Sequence, residues 1–561
     1  MLAAAVVCLG AFLRSFDFHV PQYTDLLWPT AILCWILFVR SIAPAEGRVL
    51  PGAGDYLPMA VLLPMFVACW LPFYDNWRWA FTGDSFGIFT SGYWFGRNGP
   101  GDSLLSVHGI DNFYTRIWET AYNWLMYVVA PTLFWHRLGQ LLMACLALLA
   151  IYSFFCLTLG RWWAALIVIG TATNYVWLWI SYISYLRTDS FVFYYSTLIV
   201  GLALWRAPRR RRLWMAGGLI GGLSLFFTPV VWGAVGAVAI VLGLRDLWRR
   251  RLDGIAIYTV SFVVAAVPML IELPWMLEML GEQSLARDAS NSVFLPDLSY
   301  LWRTYRTILF AGYYTPIDVL GVDYGFLRPP LQISYLVGLA VAAVGILPPL
   351  RRRLRIPTVA PVLLGLMMWD AVLFTATNKG YGAPSHKRFY NLIPMEVFFA
   401  LLPAIVVEVW VSRRPVLGRG VRMIAVAALA LAAAAGIQTI QYPRAGTYGS
   451  NFYDGLIELR QRYPEREVLL VSNRIGMSEM IAPDNLVVET YGLSEHLRRV
   501  EQLAGSDLSD TCRASNILCF DMRGQFELSM AEMERDGHWR PFPLLNSTEI
   551  KCYECGSAAP G

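Results

Sequence analysis

Long apolar runs recur along this chain, and they constrain its fold more than any other feature. Each run holds about 17 to 23 residues, enough for one helix to cross the roughly 30 Å hydrocarbon core of a bilayer. Charged residues make up only 15% of the 561-residue sequence, against about 25% in soluble domains. The sequence therefore predicts a mostly α, polytopic transmembrane helical bundle with about 13 spans.

Arginine clusters between the runs predict how the bundle is oriented. Basic residues favour the cytoplasmic side of a membrane protein, and the clusters fall in alternate connections. This alternation predicts a cytoplasmic N-terminus and an extracytoplasmic C-terminal tail. The clusters are Arg40 with Arg48, Arg161, 206–212, 245–251, 351–355 and 413–422.

The predicted spans divide the chain into three parts. Residues 1–56 form two extra N-terminal helices, and 57–440 form a core with large outer segments at 74–137 and 272–330. The first run has no basic leader and no small-residue cleavage site, so it is interpreted as a retained helix. The spans are predicted at 2–18, 26–42, 57–73, 138–157, 162–180, 189–205, 213–229, 231–244, 254–271, 331–349, 358–376, 389–411 and 422–440.

The tail, 441–561, has the composition of a globular domain and predicts a small α/β fold. A helical pattern begins near Tyr453, and a short apolar strand pattern begins at Glu467. The tail also holds four of the nine cysteines. In a tail outside the cytosol they predict two disulfides with three possible pairings; a zinc knuckle is the alternative. The four are Cys512, Cys519, Cys552 and Cys555.

Asp84 is the first candidate site residue. It lies in an aromatic, glycine-bearing stretch, 77–89, directly after the predicted span 57–73. An ionisable group beside the bilayer is costly to keep and indicates a functional site. The alternative is a turn residue, since Gly-Asp-Ser is common in turns.

Arg187 and Asp189 form the second candidate group, where a short outer segment re-enters the membrane. Here the structural alternative is equally strong. Thr188 and Asp189 can cap the helix that follows, and Arg187 can simply pair with Asp189.

A third group places basic residues on the outer face, against the positive-inside bias. An anionic ligand is one reason for such a cluster, because Lys and Arg are the usual phosphate binders. Nearby glycines allow a ligand to approach the backbone closely. The alternative is a solvated loop whose side chains reach to the interface. The residues are Lys379, His386, Lys387 and Arg388.

All three groups are predicted on one face of the membrane, among helices able to hold a lipid tail. A carboxylate can take a proton from an acceptor hydroxyl, and a cationic cluster can stabilise a leaving phosphate. This combination is the chemistry of glycosyl transfer from a lipid-phosphate sugar.

The order of these motifs resembles the multi-pass glycosyltransferases of the GT-C superfamily over 57–411. Asp84 matches the first acid of that family's outer-loop acidic pair, whereas Ser85 stands at the second. Leu186-Arg187-Thr188-Asp189 is similar to a later helix entry, and 385–394 to a late basic-aromatic element. The resemblance implies an inverting transfer from a polyprenyl-phosphate donor, with Asp84 as general base. Asp189, Asp102 and Asp111 are the candidates for an assisting acid.

A narrower resemblance, in layout only, is to the arabinofuranosyltransferases that prime mycobacterial galactan. It implies a glycan or glycolipid acceptor and a multi-pass protein of the bacterial plasma membrane that acts in cell wall biogenesis. No cofactor is required by these motifs, and a divalent cation remains open. Mannose, glucose or aminoarabinose donors fit the same residues.

Three other classes stay open. A transporter or flippase for lipid-linked sugars would use the mid-membrane acids Asp370 and Glu396. A ligase or polymerase with lipid-diphosphate donors would depend on Arg and His. An assembly protein would use the tail to bind a partner, although thirteen helices exceed what an anchor needs.

Overall fold

The structure is a computed structural model, and it describes part of the chain. The chain divides into two compact units: one holds most of the helices, and the other holds the C-terminal helix and sheet. The described residues are 27–43, 51–70, 133–172, 187–226, 229–280, 318–319, 322–323, 328–362, 450–471, 497–500, 517–521, 539–545 and 550–555, with the scattered positions 6–7, 11, 121–122, 125, 128–129, 364–365 and 368.

Ten helices of the helical unit have defined bounds within the described residues. They are accompanied by 3-10 turns at Ala53–Tyr56 and Ser224–Phe226 and by a two-stranded ribbon, β1 (Asp318–Val319) and β2 (Val322–Asp323). The helices are α1 (Leu27–Ile42), α2 (Leu57–Trp70), α3 (Leu133–Leu159), α4 (Arg161–Ala172), α5 (Arg187–Arg206), α6 (Arg211–Leu223), α7 (Pro229–Trp248), α8 (Leu252–Leu280), α9 (Arg328–Val344) and α10 (Pro348–Leu354).

Three stretches of helix within the described residues are long and apolar enough to cross a membrane: Leu138–Leu159, Val231–Trp248 and Leu252–Ile271. They correspond to the predicted spans 138–157, 231–244 and 254–271. Leu27–Ile42 and Ala53–Ala68 are shorter apolar helices. The predicted spans 2–18, 389–411 and 422–440 lie outside the described residues apart from a few positions in the first, so the total of thirteen stays a prediction.

Several helix ends differ from the predicted ones. Helix α8 continues past Ile271 to Leu280, into the predicted outer segment 272–330. Helix α3 begins at Leu133, inside the predicted outer segment 74–137. A helix does not stop where its apolar run stops, because backbone hydrogen bonding is indifferent to side-chain polarity. Helix α6 ends at Leu223, earlier than predicted, and Pro229 begins α7. Proline is favoured at a first helical position, where its missing N–H has no helical partner.

Arginine side chains tie the ends of several helices together. Arg206 donates from Nη2 to the carbonyl of Leu157 (2.9 Å), at the end of α3. Arg212 donates to the carbonyl of Ala43 (3.0 Å), just past α1, and Arg245 to that of Leu204 (3.1 Å), in α5. The last carbonyls of a helix lack helical partners, and cations stabilise its C-terminus. The connections predicted to share one side of the membrane thus meet, and we call Arg206, Arg211, Arg212 and Arg245 the arginine end.

Close backbone packing joins α6 to α8. A Cβ at Gly218 or Gly222 would overlap the backbone of Tyr258 or Phe262 in α8. Helix α1 joins this pair through Trp35, whose indole donates to Ser261 Oγ (2.7 Å). Small residues that bring helix backbones together are typical of membrane bundles, where van der Waals packing drives association.

The described part of the sheet unit holds α11 (Ser450–Arg462), a 3-10 turn at Pro543–Leu545 and five strands in the order β4-β3-β5-β7-β6. Strands β4, β3 and β5 are parallel, and β7 and β6 are antiparallel to their neighbours. Every residue of β3 is buried, as in a central strand covered on both faces. The predicted helix and apolar strand of the tail are both present. The strands are β3 (Val468–Val471), β4 (Leu497–Val500), β5 (Ile517–Asp521), β6 (Trp539–Pro541) and β7 (Ile550–Cys555).

A disulfide joins Cys519 of β5 to Cys552 of β7. The two residues face each other in the antiparallel register, with their Cα atoms 4.0 Å apart. This bond selects one pairing from the three possible, and it consumes two thiolates that a four-cysteine zinc knuckle would need. Cys555 is the last residue of β7, and Cys512 lies outside the described residues, so the second disulfide stays a prediction.

We expect the replacement Cys519→Ser to destabilise the tail by about 2–4 kcal/mol, because the bond closes a loop between residues 33 positions apart. Thermal unfolding of the purified protein, with and without reductant, measures the loss. Reductant should lower the wild-type midpoint and leave the midpoint of the variant nearly unchanged. Equal midpoints for oxidised wild type and variant would contradict the prediction.

Candidate functional site

Asp189 is the predicted site residue whose side chain the structure describes. It lies in the first turn of α5, and only 1% of its surface is exposed. Its neighbours Thr188 and Ser190 are equally buried, at 1% and 2% exposure. A carboxylate removed from water is costly unless its surroundings compensate, so this position is a strong candidate for a functional group.

The helix begins at Arg187, two residues before Asp189. Asp189 therefore stands inside the first turn rather than at the N-cap, where the structural alternative had placed it. Ser190 Oγ donates to Asp189 Oδ1 (3.2 Å), and the positive end of the helix dipole favours an acidic group in this turn. The burial of the carboxylate is thus offset in part by local dipoles.

A layer of buried aromatic rings follows Asp189 along α5. Tyr194 and Tyr195 are fully buried, with ring centroids 5.5 Å apart. Tyr195 also packs against Phe154 and Phe155 of α3, at 5.8 and 6.4 Å between centroids. Such tilted ring pairs are favourable contacts that fill a dry interior. These rings pack α5 against α3 a short distance along the helix from Asp189.

Asp189 and the arginine end lie at opposite ends of one helix. Helix α5 has 20 residues and is about 30 Å long, the thickness of a bilayer core. Arg206, its last residue, belongs to the arginine end. If the arginines face the cytoplasm, the first turn of α5 faces the other side.

Helix α2, which precedes the Asp84 segment, begins near the arginine end. Tyr56 is hydrogen-bonded to Ser153 near the end of α3 (2.7 Å), and the Tyr152 hydroxyl donates to the carbonyl of Asp55. Helix α4 begins at Arg161, directly after α3, and packs against α2. Helix α2 therefore leads away from the arginine end. This direction agrees with the predicted placement of the chain after Trp70 on the same side as Asp189.

The other predicted site residues lie outside the described part of the chain. Only the backbone of Arg187 is described, at the start of α5, so its pairing with Asp189 stays a prediction. The undescribed residues are Asp84, Asp102, Asp111, Asp370, Lys379, His386, Lys387, Arg388 and Glu396. Within the residues that are described, no group of three or more His, Cys, Asp or Glu side chains is arranged to hold a metal ion.

Two sets of buried polar residues were missed in the sequence. Gln140 of α3, Thr171 of α4 and Thr197 of α5 are all buried, although each looks like an isolated polar residue in an apolar run. At the arginine end, Arg245 Nε bonds Asp246 Oδ1 at 2.7 Å, and these side chains are 8% and 1% exposed. The adjacent opposite charges of Arg245 and Asp246 could have indicated this buried ion pair in the sequence. Such neighbours are equally typical of a solvated connection between helices.

Two crystal structures of ArnT from Cupriavidus metallidurans match the chain, both at 12% identity. One, bound to undecaprenyl phosphate, has a TM-score of 0.42 and covers 94% of this chain and 97% of its own. The other, in the apo state, has a TM-score of 0.48 and covers 88% of this chain and 98% of its own. At these low values the similarity transfers no family, ligand or residue role to this chain.

Searches of family models and of curated proteins returned no match.

Proposed function

We propose that this protein is an inverting membrane glycosyltransferase of the GT-C type. It moves a sugar from a polyprenyl-phosphate donor to a glycan or glycolipid acceptor at the outer face of the plasma membrane. The observation that carries the proposal is the buried carboxylate of Asp189, in the first turn of a membrane-length helix whose other end carries the arginines. This placement supports the sequence resemblance of 186–189 to a helix entry of that superfamily.

In this proposal Asp84 is the general base, and it takes the proton of the acceptor hydroxyl as the sugar leaves its phosphate. Asp189 is the assisting acid or binds the acceptor. The leaving phosphate is held by cations that share the outer face, since charge-assisted bonds to phosphate are strong. These cations are Arg187, Lys379, His386, Lys387 and Arg388.

The tail adds support for the outer face. Disulfides form and persist in oxidising compartments and are rare in the cytosol. The Cys519–Cys552 bond therefore favours an extracytoplasmic sheet unit. An extracytoplasmic domain of this fold is suited to binding the acceptor glycan.

Purified protein in detergent, supplied with polyprenyl-phosphate sugars and mixed glycan acceptors, tests the proposal. The donor panel includes arabinofuranose, which the chain layout favours, together with mannose, glucose and aminoarabinose. Release of polyprenyl phosphate with one sugar, together with extension of the acceptor, is the expected result.

A flippase for lipid-linked sugars is the second candidate, because it also needs outer cations and a lipid groove. It predicts binding of the lipid-linked sugar and no release of polyprenyl phosphate. Movement of a labelled lipid-linked sugar across proteoliposomes, without hydrolysis or transfer, would favour this candidate over the transferase.

A further inference from the structure

Three arginines form the whole connection between α7 and α8. Helix α7 ends at Trp248 and α8 begins at Leu252, so Arg249, Arg250 and Arg251 alone join them. Both helices contain stretches long and apolar enough to span a membrane, Val231–Trp248 and Leu252–Ile271. A three-residue turn between two spans has no length to leave the membrane surface. These three residues, which we call the arginine turn, therefore lie at the level of the lipid headgroups.

The backbone of the arginine turn is strained at its centre. Arg250 has φ of +54°, and its N–H donates to the Leu247 carbonyl (2.9 Å) while the Arg251 N–H donates to that of Asp246 (2.8 Å). These two bonds form a Schellman motif, in which glycine is strongly favoured at the left-handed position. Arginine at this position therefore makes the fold less stable than glycine would.

Both glycine and arginine occupy left-handed positions that follow helices in this chain. Helix α3 is followed by Gly160, with φ of +91°, whereas α10 is followed by Arg355, with φ of +55°. A Schellman pair is formed there too, since the Arg355 N–H donates to the Arg352 carbonyl (3.3 Å) and the Ile356 N–H to that of Arg351 (3.0 Å). Arginine twice occupies a position where glycine would be more stable, which indicates that its side chain contributes something else.

The acids next to the arginine turn are paired with other arginines. Asp246 is buried against Arg245, and Asp253 lies 3.8 Å from Arg211. Arg249 and Arg250 are exposed, and so is a run of apolar surface beside them. Trp248 is 90% exposed, with Leu244 and Leu247 at 62% and 58%. A tryptophan at the end of a span is a typical anchor at the membrane interface.

We propose that the arginine turn and Trp248 form a binding site for the headgroup of an anionic phospholipid. The guanidinium groups bind the headgroup phosphate, and Trp248, Leu244 and Leu247 contact the adjoining acyl chains. The apolar surface next to the cations selects a lipid over free phosphate, which would gain nothing from it. This site lies at the arginine end, away from Asp189, and is independent of the proposed transfer reaction.

Native mass spectrometry of the full-length protein in detergent, titrated with phosphatidylglycerol and separately with phosphatidylcholine, tests the site. A basic residue near the membrane surface contributes about fivefold to binding of anionic lipid. Arg250→Gly should therefore weaken phosphatidylglycerol binding about fivefold, leave phosphatidylcholine binding unchanged and hold or raise the unfolding temperature. The gain in stability follows from glycine at a left-handed position, and it separates lost binding from lost folding.

Two controls sharpen the result. Arg250→Lys keeps the charge and should retain most of the binding. Arg209→Gln removes an exposed arginine from another connection that carries part of the arginine end and should have little effect. Equal loss in Arg209→Gln and Arg250→Gly, or no loss in Arg250→Gly, would overturn the proposal. Displacement of the lipid by excess inorganic phosphate, with no contribution from Trp248 in a Trp248→Ala variant, would overturn the assignment to lipid.

Discussion

Asp84→Asn should reduce the turnover of sugar transfer by about 100- to 10,000-fold, the usual contribution of a positioned general base. The amide has nearly the shape of the carboxylate but cannot accept the proton of the acceptor hydroxyl. Donor binding should change little, because the proposed phosphate ligands are untouched. Release of polyprenyl phosphate at saturating donor and acceptor measures the loss, and the thermal unfolding midpoint reports whether the variant is folded.

The other outer-segment acids provide matched controls. Asp102→Asn and Asp111→Asn remove the same charge from the same predicted segment, and one of them should be affected only if it assists Asp84. Asp189→Asn distinguishes the role of Asp189 from that of Asp84. An assisting or acceptor-binding role for Asp189 predicts a smaller loss of turnover than in Asp84→Asn, or a raised KM for the acceptor. A folded Asp84→Asn protein with wild-type turnover would remove Asp84 from the mechanism and leave it as a turn residue.

The approximate positions of the described helices could be predicted because the bilayer imposes a length on each apolar run. Their exact ends could not. The predicted span 254–271 ends at Ile271, yet α8 continues to Leu280. The break between α6 and α7 was predicted from Pro229, because proline has a specific physical effect on a helix. In these two cases the local sequence predicted where one helix is interrupted, but not how far the other continues beyond its apolar run.

For features that depend on tertiary contacts, the candidate residues could be identified in the sequence, but the choice between the alternatives for them could not be made. Spacing alone allowed three disulfide pairings, and the register of β5 against β7 places Cys519 opposite Cys552. Asp189 was a candidate with a capping alternative, and only the start of α5 at Arg187 and the packing around it show a buried acid inside the helix. Asp84 and the basic group 379–388 remain predictions from sequence, since they lie outside the described residues.

The largest expected effect on stability belongs to the buried pair at the arginine end. Arg245→Met should destabilise the protein by about 3–5 kcal/mol, the usual cost of removing one partner of a buried ion pair. Asp246 would stay at 1% exposure with no arginine at 2.7 Å. The Leu204 carbonyl would also lose the donor that now lies 3.1 Å away. The thermal midpoint of the purified protein in detergent, with Trp fluorescence as a second probe, measures the loss.

The double variant Arg245→Met with Asp246→Leu separates the contribution of the ion pair to stability from that of the other contacts of Arg245. Replacing both members of a buried ion pair by apolar residues of similar size is often neutral or even stabilising, so the double variant should recover most of the stability lost in the single one. What it does not recover belongs to the contacts of Arg245 with the Leu204 and Trp205 carbonyls and with the Trp205 ring. The charged hydrogen bond to the Leu204 carbonyl contributes about 1.5–3 kcal/mol of this. Arg209→Gln, at an exposed position, should change the midpoint little. An Arg245→Met protein as stable as wild type would mean that Asp246 becomes solvated without cost, and that the arginine end is held together by its other bonds.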